Sequence, residues 1–167
     1  MRAMRGGDAR AFDVFYERHR DWVVSLALRF SASGEDALDV MQETFAYFLR
    51  KLPSLELTCR ARTFLYPAVK HLSLSRRAAA RRLEPLDPAA DPPARPEADP
   101  DLREQLEARL QGLTEGEREV VLLRFADDFD LKEIAEALAI PLGTVKSRLH
   151  GALEKLRARW ESPQGKP

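Results

Sequence analysis

The chain has 167 residues, of which 44% are apolar and 32% are charged, and its 27 basic and 27 acidic side chains cancel. This composition is typical of a water-soluble globular protein, and no apolar run approaches the ~20 residues that a membrane span requires. One cysteine excludes an internal disulfide, and three scattered histidines give no metal-ligand spacing. The N-terminus has no apolar segment of signal-peptide length, so we expect a cytoplasmic protein.

The zero net charge hides blocks of opposite sign. Residues 44–82 carry nine basic side chains and one acidic one, whereas residues 83–101 carry one and six, together with six of the eleven prolines. A proline-rich acidic segment with few large apolar residues cannot form a core. No apolar alternation of period two indicates strands. We therefore predict an all-α fold with two small helical domains, at 8–82 and 99–161, joined by a flexible acidic linker at 83–98.

In the first domain, apolar side chains recur every three or four residues from Phe12 to Phe30, which predicts one long amphipathic helix. Ser33 followed by Asp36 has the pattern of a capping box. The next helix is expected to end before Pro53 and to bury Ala37, Met41, Phe45, Phe48 and Leu52. A third helix, from about residue 63 to 82, contains Pro67, which requires either a first-turn position or a kink.

The second domain has clear helix-start signals. Asp99 precedes a proline, and two capping-box patterns follow, Thr114 with Glu117 and Asp130 with Glu133. They predict helices at about 100–111, 115–126 and 131–139, and a last helix at about 144–160. The final two helices are joined by the short turn "IPLG", with the small Ala135 where they cross, which is typical of a helix-turn-helix.

The last helix has two contrasting faces. On a helical wheel its apolar residues share one sector, which we expect to face the core: Val145, Leu149, Ala152, Leu153, Leu156 and Trp160. The opposite face carries Ser147, His150, Gly151 and Glu154, flanked by Lys146, Arg148, Lys155 and Arg157. Five basic residues against one acidic residue between 140 and 160 suit a helix that reads base edges while its cations contact phosphates.

A row of acidic side chains lies on the second predicted helix. Asp36, Asp39 and Glu43 project from one side of it, and Gln42 borders them. By itself this pattern is as consistent with a solvated face as with a binding surface. Without histidine ligands or a nearby nucleophile it does not indicate a metal or acid–base site, so we predict no catalytic residue, metal or cofactor.

Several of these stretches resemble one family. "EIAEAL" and "GTVKSRLHGALEKLR" resemble region 4 of the extracytoplasmic-function (group 4) sigma factors of bacterial RNA polymerase, although "GTVK" also occurs in other helix-turn-helix regulators. "GEDALDVMQETFAYFL" resembles their region 2.2, and "RARTFLYPAVKHLSLSRRAAARR" resembles, more weakly, regions 2.3–2.4. This chain departs from the common pattern at Pro67, His71 and Ser75, and at Gly151, where many members carry arginine.

The resemblance implies a function and its residues. It implies docking on the beta-prime clamp helices of core RNA polymerase through Asp36, Asp39, Gln42 and Glu43, with the second domain gripping the beta flap. It implies contacts to the minus-thirty-five promoter element from Thr144, Lys146, Ser147, Arg148 and His150. It also implies capture of the opened minus-ten strand by Arg62, Phe64, Lys70, His71, Arg76 and Arg77, because single-stranded DNA requires cations and flat rings. An anti-sigma factor is a further expectation, and the linker is expected to thread the polymerase cleft.

Two alternative functions and two questions about single residues stay open. A stand-alone helix-turn-helix regulator would bind DNA as a dimer and have no use for the acidic face. An enzyme with a helix-turn-helix appendage would need a nucleophile–base pair or a cofactor loop, and residues 1–82 offer neither. At the level of single residues, Phe64 has the spacing of a core side chain as well as of a DNA contact. Gly151 either permits a close approach of DNA to the backbone or marks relaxed reading of the minus-thirty-five element.

Overall fold

The computed structural model describes residues 1–83, 108 and 110–161. The chain divides into two compact units, and each is described by itself. Within the described residues all regular secondary structure is helical, which confirms the all-α prediction. Residues 84–98 of the predicted linker and most of the predicted helix at 100–111 lie outside the described residues.

The first unit contains α1 (Arg2–Arg5), α2 (Ala9–Ala27), α3 (Gly34–Lys51), a 3₁₀ turn (Leu52–Ser54) and α4 (Ala61–Leu83). The helices α2, α3 and α4 pack against one another in all three pairs. Tyr16 contacts Met41 through its hydroxyl, and Phe12 contacts the ring of Phe45, so α2 and α3 run antiparallel. Their core is aromatic, with the ring of Phe15 stacked 4.4 Å from that of Phe48.

The start of α3 is capped as the sequence predicts, with one difference. The hydroxyl oxygen of Ser33 accepts a hydrogen bond from the backbone N–H of Asp36 at 3.0 Å. The hydroxyl also donates to the Asp36 carboxylate at 2.8 Å, which is a different reciprocal contact from that of a capping box. The helix ends at Lys51, before Pro53, as predicted.

Helix α4 runs through Pro67 without ending there. Pro67 is the seventh residue of the helix, beyond the first turn in which proline costs no hydrogen bond. Because proline lacks a backbone N–H, the carbonyl of Thr63 receives no helical bond from it. The helix is held in place instead by burial, since Leu65, Tyr66 and Val69 are at most 1% exposed. Of the two alternatives for Pro67, the first-turn position is therefore excluded.

The second unit contains α5 (Glu115–Phe125), α6 (Leu131–Leu138) and α7 (Leu142–Glu161). Both predicted capping boxes form, because Glu117 accepts from the Thr114 backbone and Glu133 from the Asp130 backbone, each at 2.8 Å. Ala139 ends α6 in the left-handed conformation, with φ 51°, and only Ile140 and Pro141 separate it from the next helix. The helix α7 then begins at Leu142, two residues earlier than predicted.

The core of the second unit is narrower than predicted. Val120, Leu123, Ile134, Val145 and Ala152 are all fully buried. Leu153 and Trp160, which the helical wheel assigned to the core, are 42% and 74% exposed. The buried stripe follows residues 145, 149, 152 and 156, and residues 110 and 113 pack against it. Leu153 and Trp160 lie to one side of that stripe, so their predicted burial is wrong.

Candidate nucleic-acid interface

The predicted docking face on α3 is already engaged within the first unit. Arg76, on α4, donates from Nη1 to Asp39 Oδ2 at 2.8 Å and from Nε to Glu43 Oε2 at 3.5 Å. The three side chains are 38%, 55% and 43% exposed, so the contacts lie at the surface. Although burial lowers it, these hydrogen bonds and charges leave the pKa of Arg76 above its usual value. The structure thus joins a predicted DNA contact to two predicted polymerase contacts.

The other two residues of the docking face differ in their surroundings. Asp36 is half-buried and holds the Ser33 hydroxyl at the N-terminus of α3. Gln42 is exposed. Within this face, therefore, Gln42 is open to solvent, while the three carboxylates each have a partner in the first unit.

Phe64 packs inside the first unit. Its ring is half-buried, lies nearly parallel to that of Tyr47 at 6.2 Å, and meets the ring of Phe48 edge-on at 6.3 Å. These contacts support the alternative in which Phe64 is a core side chain. The neighbouring predicted contacts His71 and Arg77 are exposed on α4.

Two other aromatic rings lie directly beneath predicted DNA-binding cations. The guanidinium of Arg62 lies 5.3 Å from the ring centroid of Trp22, and the Lys70 ammonium lies 5.8 Å from that of Phe30. All four side chains are half-buried. Periodicity alone assigned Trp22 and Phe30 to the apolar face of α2. Trp22 and Phe30 are eight residues apart, and so are Arg62 and Lys70. This equal spacing indicates paired contacts only when α2 is known to pack against α4.

The charge beside these rings also affects a buried histidine. His19 is 9% exposed and packs against Phe15, with the ring centroids 4.6 Å apart. Burial lowers the pKa of His19, and the positive charges of Arg62 and Arg18 lower it further. Burial and the two nearby guanidinium groups thus both favour the neutral form of the His19 imidazole by lowering its pKa.

In the second unit, the N-terminal half of α7 has an exposed side. Lys146, Ser147 and His150 are exposed, whereas Thr144 is half-buried. The Ser147 hydroxyl donates to the carbonyl of Thr144 at 3.1 Å. His150, 77% exposed, lies 3.4 Å from the Glu154 carboxylate one turn later. Except for Arg148, the predicted minus-thirty-five residues therefore lie at or beside this exposed side.

The face of α7 that carries Arg148, Gly151 and Lys155 turns towards the first turn of α5. A Cβ atom added at Gly116 would lie 3.0 Å from the Arg148 guanidinium, and one added at Gly151 would lie 3.2 Å from Glu117 Oε1. The sequence placed Gly151 on the open face and Arg148 and Lys155 at its flank, whereas in the structure all three lie against α5. The reason is that α5 crosses α7 at these positions, which a wheel of α7 alone does not show.

An ion pair fastens this crossing. The Lys155 ammonium donates to both carboxylate oxygens of Glu117, at 2.8 and 2.7 Å. The hydrogen bond from Lys155, followed by that from the Thr114 backbone N–H, holds the pKa of Glu117 below its usual value. Glu117 thus caps α5 and also binds Lys155 of α7. Lys155, although exposed, therefore helps to hold the two helices together.

The described residues lack two kinds of feature. No helix there is long and apolar enough to cross a membrane. No group of three or more histidine, cysteine or acidic side chains in that part of the chain is placed to hold a metal ion.

Family models match both parts of the chain. The model for Sigma-70 region 2 matches residues 15–83, and that for Sigma-70, region 4 matches residues 109–158. The ECF RNA polymerase sigma factor SigW of Bacillus subtilis is 26% identical, over 94% of this chain and 92% of its own. The ECF RNA polymerase sigma factor SigE of Mycolicibacterium smegmatis is 32% identical, over 88% and 60%. The ECF RNA polymerase sigma-E factor of Escherichia coli K12 is 29% identical, over 90% and 86%.

Two solved structures share the fold. The sigma factor RpoE of Bartonella quintana, in complex with the anti-sigma factor NepR, gives a TM-score of 0.67 at 19% identity, covering 93% of this chain and all of that one. CnrH, in complex with the cytosolic domain of CnrY, gives 0.67 at 23% identity, covering 96% and 94%. At these identities the similarity shows that the fold is shared.

Proposed function

The chain belongs to the sigma-70 family as a sigma factor of the ECF type, and we propose that its two units divide promoter recognition between them. The observation that carries this proposal is the presence of region 2 and region 4, in that order, along one chain. A sigma factor acts by binding and leaves the chemistry to core polymerase, so this chain is not an enzyme. We place it in the cytoplasm, where core polymerase and promoter DNA are found.

The second unit would place α7 in the major groove at the minus-thirty-five element. The exposed side of α7 supports this role, because Lys146, Ser147 and His150 follow directly on the turn after α6. The half-buried Thr144 borders that side, whereas the half-buried Arg148 lies against the first turn of α5. Ser147 and His150 offer hydrogen-bonding groups for base edges, and Lys146 suits a phosphate.

The first unit would dock on core polymerase through Asp36, Asp39, Gln42 and Glu43, and would hold the opened minus-ten strand on α4. The exposed Arg77, the half-buried cations Arg62, Lys70 and Arg76, and the row of carboxylates support this division. The proposal also includes the domain limits 8–82 and 99–161 and the acidic linker between them. In it, the second unit contacts the beta flap as well as DNA. Because RpoE and CnrH were solved with NepR and CnrY, we also propose that this chain has an inhibitory anti-sigma partner.

Run-off transcription with purified core polymerase and a genomic promoter library tests the function. Wild type is expected to give promoter-dependent transcripts, and their absence would refute the proposal. A stand-alone regulator would instead bind promoter DNA as a dimer without core polymerase. Sedimentation of the free protein and of its mixture with core separates these two outcomes.

The docking face needs a matched control. The double variant Asp39→Arg/Glu43→Arg is expected to abolish core binding, because it reverses two charges on the face. The control Glu17→Arg/Asp21→Arg makes the same charge change on α2, at two acidic residues that are also four apart and exposed. Core binding should survive in the control. Equal loss in both variants would assign the effect to net charge and remove the docking role from α3.

A further inference from the structure

One acidic side chain lies on the side of α7 that the proposed function turns towards DNA. Glu154 is the single acidic residue between positions 140 and 160, where five residues are basic. Its side chain is 66% exposed, and it follows Ser147 by two turns on the same side of the helix. A carboxylate beside phosphates is repelled. Glu154 therefore weakens promoter binding unless it makes a contact with DNA itself.

A contact with His150 places this carboxylate beside a proposed minus-thirty-five residue. The imidazole Nε2 of His150 lies 3.4 Å from Glu154 Oε1. A carboxylate accepts hydrogen bonds on both of its oxygens, so this contact leaves Oε2 available for DNA. The distance from Ser147 to Glu154 along the helix axis is about 10 Å, which matches about three base pairs at a rise of about 3.4 Å each. Both side chains can therefore reach the same promoter element.

Ser147 presents the same kind of hydrogen-bonding group as Glu154. The Ser147 hydroxyl donates its proton to the carbonyl of Thr144 at 3.1 Å, so the lone pairs of its oxygen remain as acceptors. The exposed side of α7 thus carries two acceptors, the Ser147 hydroxyl oxygen and the Glu154 carboxylate. The base edges that match acceptors are the amino groups of adenine and cytosine, which donate into the major groove.

The groups on the base edges favour cytosine as the partner of a carboxylate. In the major groove, cytosine presents only the N4 amino donor. Guanine presents the acceptors N7 and O6, and thymine presents the acceptor O4, all of which repel a carboxylate. Adenine presents its N6 amino group next to the acceptor N7, so repulsion offsets part of the attraction. A carboxylate at position 154 therefore both attracts cytosine and disfavours the other three bases.

We propose that Glu154 is a specificity-determining residue for the minus-thirty-five element, and that its carboxylate accepts a hydrogen bond from N4 of a cytosine in the major groove. His150, which lies beside Oε1, limits the directions in which this carboxylate points. The inference rests on the proposed sigma function. It goes beyond that function by adding a residue outside the predicted minus-thirty-five set and by naming the base that this residue reads.

Binding of a promoter library with a randomised minus-thirty-five element tests this assignment in the holoenzyme. Core polymerase reconstituted with the wild-type chain is expected to prefer cytosine at one position by about 5- to 150-fold. Glu154→Gln should shift that preference to adenine, because a glutamine amide accepts from N6 and donates to N7. Glu154→Ala should remove the preference there. At every other position both variants should select the same bases as wild type.

A matched control separates base reading from net charge. Glu115→Gln removes one negative charge from an exposed residue in the first turn of α5, and it should keep the wild-type preference at every position. The contact between Glu154 and His150 is an exposed pair, and such pairs contribute little to stability. The melting midpoint and the affinity for core polymerase should therefore stay close to wild type in all three variants, which excludes misfolding as the cause of a changed preference.

Each other outcome has a distinct meaning. Base preferences that are the same in wild type, Glu154→Gln and Glu154→Ala would show that Glu154 contacts no base, and the assignment would be wrong. Tighter binding of all sequences alike in the two variants would also overturn it, since that result reflects charge alone. If wild type gives no promoter-dependent run-off transcript, the sigma function itself fails, and the assignment of Glu154 fails with it.

Discussion

Replacing Gly151 by alanine tests the finding that this position faces Glu117. In a helix interior, alanine is favoured over glycine by about 1 kcal/mol. The new methyl group would lie 3.2 Å from Glu117 Oε1, which requires that oxygen to move by a few tenths of an ångström. Oε2 carries the bonds to Thr114, and both oxygens bind Lys155. A small rotation that displaces Oε1 alone therefore keeps most of these contacts.

The expected net gain is about 0.5–1 kcal/mol, which for a domain of this size raises the melting midpoint by about 2–8 °C. Trp160 lies on the same helix as Gly151, so in a Trp22→Phe background its fluorescence follows the unfolding of the second unit. The promoter affinity of the holoenzyme should not change, because the added methyl group points to α5.

The same substitution in a Glu117→Ala background isolates the contact. There, alanine at position 151 meets no carboxylate and should show its whole helix preference. An identical effect in both backgrounds would mean that Gly151 does not face Glu117. A loss of promoter affinity in the single variant would instead restore the hypothesis that DNA approaches the backbone at this position.

Three further predictions follow from the same contacts. Val145→Ala should destabilise the second unit by about 2 kcal/mol because Val145 is fully buried, whereas Leu153→Ala, at a position 42% exposed, should cost less than half as much by the same fluorescence readout. Arg76→Gln and Asp39→Asn should couple by about 0.2–1 kcal/mol in urea unfolding, and strictly additive effects would contradict the ion pair. Since Lys155 and the Thr114 N–H lower the pKa of Glu117, its stabilisation should be complete above the pKa of the unfolded chain and be lost as pH falls through the lower folded value. Glu117→Gln should reduce this acid sensitivity of the melting midpoint.

Local signals were the ones that the sequence predicted well. A cap joins residues three apart, so Thr114 with Glu117 and Asp130 with Glu133 could be identified from their spacing, and both boxes form. The exposure of Lys146, Ser147 and His150 could likewise be predicted, because the apolar residues of α7 recur every three or four positions. Leu153 and Trp160 show the limit of a helical wheel. The wheel identifies the apolar side of a helix, but it does not show how much of that side the neighbouring helices cover.

The sequence by itself determined the helices, their caps and the family, since each depends on residues close together in the chain or on motifs read in order. Only the tertiary structure decided which charges are partnered and which rings lie under cations. Arg76 meets Asp39 across 37 residues, and Lys155 meets Glu117 across 38. Such pairs depend on the register in which two helices pack, and one helix wheel contains no information about that register. The same packing put Gly151 against α5 and brought Trp22 beneath Arg62.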